Sequence, residues 1–366
     1  MTEKANGSRG NGRPPAALAA GRFWRRPRGR AGAAIAGMLL LVALGADLLA
    51  SDQPLAMRLD GELFLLPNLT RPTALLAHDN QSLGALLRPE RGDWLLSPPV
   101  PFGPYQTDLS LPSLPAPPDG RHLLGSDEVG RDVLSRLIHG TRVSLTVGFA
   151  SVALYVAIGL LLGALAGYYG GAADAVISRA IEVMLTFPTI LLALAVVALV
   201  ERPTLLLLIL VLGLTRWPDV ARLVRGEVVR IKALDYTQAA RVLGFTDARI
   251  LLRHILPNAM GPVLVAATFG VANAVLIESG LSFLGFGAPP PTASWGELLT
   301  QAHRYAVSPG AWWLALFPGT AIFLTVGAFQ LAGEALREGL DPKSAGRPGN
   351  RWHGEKCCLT CKGRNG

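Results

Sequence analysis

Charge is scarce in this chain of 366 residues. Only 16% of them are charged and 50% are hydrophobic, with a mean hydropathy of +0.37, whereas a soluble domain carries about 25% charged residues. Cysteine is scarcer: Cys357, Cys358 and Cys361 all fall in the last ten residues. With His353 they spell HxxxCCxxC, but structural zinc sites use separated ligand pairs on an ordered scaffold, and a Gly-, Lys- and Arg-rich tail reads as disordered chain. The machinery of catalysis is missing as well. No GxxxxGK[ST] phosphate loop occurs, and the six histidines are scattered without an acid or nucleophile partner. These absences exclude a chain that handles ATP itself, and they give no catalytic residue and no metal site.

What is present is apolar sequence in long runs. The length would fill two soluble domains, but six stretches reach the roughly 20 apolar residues that span a bilayer: 31–50, 143–168, 176–200, 204–224, 259–277 and 312–332. The first has the positive flank of a signal peptide (Arg22, Arg25, Arg26, Arg28, Arg30), yet its run is longer than a typical signal core and no convincing small-residue cleavage site stands out. It is expected to remain as a span. The expected fold class is an all-α integral membrane protein with about six transmembrane helices.

Lys and Arg set the orientation, because short loops rich in them stay cytoplasmic. Residues 1–30 hold eight, residues 216–257 eight more, and the chain after Ala332 seven. Both termini and the 216–257 loop are therefore expected inside. Residues 51–141, with eleven acidic against seven basic residues, fall outside, although Arg131, Arg136 and Arg142 crowd the start of the second span. The net charge of +8 sits beside spans, where anionic lipid headgroups and topology account for it; nucleic acid is not an expected partner.

The expected division of the chain is a basic cytoplasmic segment 1–30, a first transmembrane helix 31–50, an extracytoplasmic segment 51–141, a transmembrane domain 142–340 and a cytoplasmic tail 341–366. Segment 51–120 is rich in proline (SPPVPFGP, LPSLPAPP), which favours extended chain. Alternation over 62–66 allows a short strand or two, and the whole reads as a small cap, not an independent domain. In HLLGSDEVGRDVLSRLIHG (122–140), Gly125, Ser126 and Asp127 look like a turn and helix cap. Leu134, Leu137 and Ile138 share one face of an interfacial helix leading into the membrane.

Within the spans, Gly159, Gly163 and Gly167 repeat every four residues and leave one helix face bare for a neighbour. Pro188, Pro262 and Pro318 are candidate kinks. Glu182 and Glu278 lie in or at the end of spans, where charge faces protein or a water-filled cavity. Two readings stand for each: a lining of the pathway, or a structural pair with a cation such as Arg179.

The loop after the fourth span is the most specific segment: YTQAARVLGFTDARILLRHILPN, 236–258. Residues 235–246 favour a short helix in which Ala239, Ala240 and Gly244 leave room for another protein's surface, with Arg241 and Arg249 beside them. Leu251, Leu252 and Ile255 form the apolar side of a second short helix that Pro257 closes.

This pattern resembles the Glu-Ala-Ala, three residues, Gly, nine residues, Leu-Pro signature of the membrane subunits of ATP-binding-cassette importers. Ala239, Ala240, Gly244, Leu256 and Pro257 match it, and Gln238 replaces the usual Glu. The HILPN ending, the LSFLGFG run at 281–287 followed by a Pro-rich turn with Trp295 and Gly296, the Leu-Asp-Pro at 340–342, and a segment at 124–132 similar to LGTDELGRD all point to the peptide and nickel branch. The beginning of the outer segment is similar to that of permeases for oligopeptides and microcin C-type antibiotics. The resemblance implies a type I importer permease fold in a bacterial inner membrane, with a coupling loop at about 225–257. It also implies a related second permease, two cytoplasmic ATPases that bind the ATP, and an extracytoplasmic substrate-binding protein. The chain itself would bind no cofactor. Rival readings are an ion-coupled secondary transporter using Glu182 or Glu278, expected to show inverted repeats, and more distantly a membrane-embedded hydrolase.

Overall fold

A computed structural model describes residues 21–200, 204–305 and 310–340. The cysteine cluster, the Asp-Pro at 341–342 and most of the first 30 residues lie outside them.

Among the described residues the chain is a bundle of long helices with a small β-containing cap at one end. Helix α1 (Pro27–Leu44) and the single turn α2 (Ala46–Leu49) lead into the cap. The cap holds strands β1 (Ala56–Leu59) and β2 (Glu62–Leu65), the short helices α3 (Pro67–Thr70) and α4 (Asn80–Leu86), and β3 (Trp94–Leu96). The bundle continues with α5 (Val133–Tyr169), α6 (Gly171–Thr186), α7 (Thr189–Ala198) and α8 (Leu205–Lys232). After α9 (Asp235–Val242) and α10 (Asp247–Ile250) come α11 (Leu256–Phe283), α12 (Trp295–Arg304) and α13 (Trp313–Leu340).

Among the described residues, four stretches are long and apolar enough to cross a membrane: α1, α5, the run Asp247–Phe283 and α13. The expected third span is not one helix. It is broken into α6 and α7, which meet at 82°, because Phe187 before Pro188 is held extended and Pro188 then opens α7. The pair counts as a fifth candidate. The expected fourth span is the 28-residue α8, but its first eighteen residues carry Arg216, Asp219 and Arg222, too many charges to pass on composition alone.

The second span also differs from expectation. Residues 133–169 form one continuous helix, about 55 Å long at 1.5 Å per residue. It reaches well beyond a hydrocarbon core of about 30 Å, so the expected interfacial helix is its projecting first turns. Its cap is Asp132, whose carboxylate accepts from Ser135 N at 2.7 Å, not the Ser126-Asp127 pair.

Close packing follows the small residues. A Cβ on Gly159 would lie 2.6 Å from Val220 Cβ, one on Gly163 2.8 Å from Val224 Cβ, and one on Gly167 2.8 Å from the Arg225 carbonyl. The glycine stripe is therefore the contact face of α5 for α8 and does not face lipid. Val220, Val224, Val228 and Ile231 of α8 join Tyr155 and Ala164 of α5 and Ala259, Val263 and Val271 of α11 in the main apolar core.

The cap is more ordered than its prolines suggest. Its sheet runs β2-β1-β3, antiparallel throughout, over a core of Met57, Leu75 and Leu83. Gln53 Nε2 bonds the Leu75 carbonyl at 3.1 Å, and Asn80 Nδ2 bonds that of Ser51 at 2.8 Å, so loop carbonyls that proline-rich chain cannot pair in a ladder are satisfied by buried amides.

Candidate functional site

The loop between α8 and α11 folds into a knob at the end of the bundle opposite the cap. Helix α8 ends at Lys232, whose ammonium lies over the Tyr168 ring at 5.3 Å and bonds the Tyr168 carbonyl at 2.5 Å, fastening the base of the knob to the end of α5. Thr237 Oγ1 donates to the Ile231 carbonyl at 3.0 Å. Thr237 and Ala240, three residues apart on α9, are both buried.

Gly244 ends α9. Its φ is +79°, and two backbone bonds close the helix around it: Gly244 N to the Arg241 carbonyl at 3.0 Å and Phe245 N to that of Ala240 at 3.2 Å. This is a Schellman closure, which needs a left-handed residue at that point. A Cβ on Gly244 would meet nothing within 4 Å. Within this chain the residue serves backbone conformation.

Beyond the turn, Tyr168 Oη donates to Asp247 Oδ1 at 2.5 Å. Phe245 stacks on His254 with centroids 6.0 Å apart, and Arg249 lies 5.3 Å above the Phe245 ring. The second short helix does not stop at Pro257. Residues Leu251–Ile255 form a π turn, and Pro257 follows at the start of α11, where the widened turn before it accommodates the ring. Ile250, Leu251 and Ile255 are buried, while Leu252 points out; it does not share their face as the sequence pattern suggested.

The sequence-predicted residues thus divide. Ala240 packs inward. Gln238 donates to the Lys232 carbonyl at 2.8 Å, and with Ala239, Arg241 and Gly244 it is exposed. Leu256 and Pro257 sit where the knob joins α11. Sequence reasoning missed the two most exposed apolar side chains of the knob, Val242 at 87% and Leu243 at 73%. They follow an amphipathic pattern that should place polar residues there, and that mismatch is the signal. Tyr236 and Phe245 are partly exposed around them. The result is an apolar tip with Arg241 and Arg249 beside it, on a base tied into two span helices.

The two intramembrane carboxylates differ from each other. Glu182 is exposed and pairs with Arg179 at 2.8 Å. Glu278 is fully buried five residues from the end of α11, and serines surround it in place of a cation: Ser282 at 3.0 Å, Ser144 at 3.3 Å and Ser279 at 3.4 Å.

At the cap end, the crowded arginines are neutralised. Arg136, with no exposed side chain, reaches Glu297 at 2.5 Å and Asp127 at 3.4 Å. Arg131 bonds Asp127 at 2.6 Å, and Gln301 bonds Glu297 at 2.6 Å. Arg142 pairs with Asp47 at 2.9 Å. The network joins the loop before α5, α5 itself and α12. Nearby, His122 is buried between Asp132 at 2.9 Å and Asp108 at 3.5 Å; the hydrogen bond to Asp132 raises its pKa above the ordinary imidazole value. Asp108 is held below the usual carboxylate range, chiefly by the Ser110 hydroxyl.

No group of three or more His, Cys, Asp and Glu side chains among the described residues is arranged to hold a metal ion. The geometry is that of a bundle of long apolar helices with a knob at the end opposite the cap. Over 226 residues, 62% of this chain and 73% of the other, it is 41% identical to the dipeptide transport system permease protein of Alkalihalophilus pseudofirmus. It is 44% identical to the glutathione transport system permease protein of Pectobacterium atrosepticum over 227 residues, 62% of this chain and 74% of the other. Among solved structures, the inward-facing MetNI methionine ABC transporter aligns with 56% of this chain and 96% of its own, at 21% identity and a TM-score of 0.45. Residues 159–345 match the family described as the binding-protein-dependent transport system inner membrane component. The chain belongs to that family: it is a multi-pass inner-membrane permease subunit of a binding-protein-dependent transport system, and not an enzyme.

Proposed function

We propose that this chain forms half of the translocation pathway of an ATP-driven importer of peptides or similar small solutes, and that residues 235–257 couple it to separate ATPase subunits. The observation that carries the coupling role is the knob itself. Val242 and Leu243 stand in solvent at the tip of a helix whose other face is locked to α5 and α8, and an exposed apolar pair on a rigid, basic mount is the form of an interface anchor. The tip is offered to an ATPase groove, and the tie from Lys232 and Asp247 to Tyr168 passes its displacement to α5. Rocking of packed helices then opens the pathway to one side or the other. The relatives named for dipeptide and glutathione transport favour a peptide cargo.

In this reading two such ATPases, a related second permease and an extracytoplasmic binding protein complete the complex. ATP is bound by the ATPases, and this chain holds no cofactor of its own. The knob and both termini face the cytoplasm, while the cap faces outward, in keeping with the distribution of Lys and Arg. The serine cage of Glu278 and the Arg179 partner of Glu182 favour structural roles over ion coupling.

The test is Leu243→Asp. The side chain is 73% exposed, so insertion and pairing with the second permease should match wild type. Co-purification of the ATPases and peptide uptake should fall together by a factor of about 30 or more, the size of an interface hot spot of about 2 kcal/mol. Intact ATPase attachment in the variant, or uptake that persists in ATP-depleted cells holding an ion gradient, overturns the proposal.

A further inference from the structure

The sheet of the cap is apolar on both faces. Met57, with its cross-strand partners Phe64 and Leu95, faces the buried core. The opposite face carries two cross-strand rows, Leu65–Ala56–Leu96 and Leu63–Arg58–Trp94. Water normally meets polar side chains on such a face, yet here Leu65 is 65% exposed and Trp94 43%.

Its position in the fold indicates what covers it. The sheet is stitched to the end of α1 through α2 and α3: Asn68 Nδ2 donates to the Asp47 carbonyl at 2.7 Å, Leu66 N to the Leu55 carbonyl at 2.8 Å, and Leu55 N to the Leu96 carbonyl at 2.8 Å. Helix α1 crosses the membrane by length and composition, and its last residue, Leu44, is 79% exposed, so the hydrocarbon ends close to Leu44. Exposed leucines recur along the connection, at Leu48 of α2, Leu69 of α3 and Leu66, before the Leu65–Leu96 row. The next row, about 7 Å further along the strands, holds Trp94 and Arg58, residue types that suit the headgroup level. Past it, at the tip, come Asp60, Glu62 and Arg91, with Asp60 and Arg91 paired at 3.2 Å. Hydrophobicity thus falls with distance from α1: leucine, then Leu63 with Trp94 and Arg58, then charge.

We propose that this sheet face lies on the bilayer, with the Leu65–Leu96 row at the acyl boundary, Trp94 and Arg58 among the headgroups and the 60–62 turn in water. The cap would be a monotopic wedge anchored beside α1, and a bilayer accounts for the graded order as a protein partner would not.

The experiment uses the assembled complex in nanodiscs, with Cys357, Cys358 and Cys361 replaced by Ser and single cysteines placed in turn at Leu96, Leu63, Leu44 and Glu62. Each is labelled with bimane, and quenching by phosphatidylcholine carrying a doxyl group at carbon five of the acyl chain is measured. Leu96→Cys is expected to be quenched at least half as strongly as Leu44→Cys, Leu63→Cys less, and Glu62→Cys no more than a free aqueous label. The Leu63 site repeats the test should the Leu96 label disturb folding. Quenching at both sheet sites no greater than at Glu62 would overturn the proposal. So would disulfide capture of either site by the second permease, which would make the face a protein interface, or the absence of quenching at Leu44.

Discussion

The two ends of this molecule handle unfavourable side chains in opposite ways. At the cap end, buried charge is enclosed: Arg136, Asp127 and Arg131 pair with one another and with Glu297 and Gln301, joining two segments far apart in the chain. At the knob end, apolar side chains are left out: Val242 is 87% and Leu243 73% exposed. A buried network of paired charges is a fixture, because losing one partner strands a buried charge. An exposed apolar tip on a fastened base is unfinished until something covers it. The first is organised for stability, the second for association.

If that contrast is right, the largest effect on folding should come from the network. Arg136→Met leaves Glu297 without its strongest partner in a buried site, and a loss of about 3–5 kcal/mol is expected, read as a lower unfolding temperature and a lower yield of assembled complex. A variant as stable as wild type would mean that water reaches the cluster and that the enclosure is incomplete.

Gly163→Leu comes next and probes the bundle between the two ends. The new side chain must displace Val224 and the α8 backbone, with overpacking of about 1–3 kcal/mol or more and loss of folded complex on size-exclusion chromatography. Normal assembly would show that α5 and α8 can separate at no cost.

Gly244→Ala sharpens the reading of the knob. A Cβ there meets no neighbour, so the penalty is the left-handed backbone alone, about 1 kcal/mol. It should loosen the tip and weaken ATPase attachment a few-fold while the unfolding temperature of the bundle stays put. A loss as large as that of Leu243→Asp would place Gly244 directly in the interface.

The smallest effect concerns pH and belongs to the cap. His122 has a raised pKa, held up first by the hydrogen bond to Asp132, with Asp108 and Asp119 adding to it. A raised folded-state pKa means that its stabilisation is complete below the ordinary value of 6.5 and is lost as pH climbs through the raised one. Amide exchange of the cap around residues 119–132 should be slower at about pH 6 than at about pH 8 once corrected for intrinsic rates, and His122→Gln should flatten that dependence. Asp108 and Asp119, both held low, act in the opposite direction, but only under much more acidic conditions.

The alternation of spans and loops and the small-residue face at Gly159, Gly163 and Gly167 are legible from residues within a few positions of one another. They depend on local quantities: the transfer free energy of a run of side chains and the four-residue repeat of a helix. The turn at Gly244 is not legible in this way, since the sequence pattern places that glycine within a helix over 235–246. The packed structure decided what depends on partners distant in sequence. Arg136 finds Glu297 and Glu278 finds Ser144 only when α5, α11 and α12 come together. The 82° break at Pro188 sets the direction in which α7 leaves, and the sequence had indicated only that a kink was available there. Ala240 turns inward and Leu243 outward because the ties to Ile231 and Tyr168 fix the rotation of α9. Local pattern carries no record of those ties, since it repeats along one element while they join several.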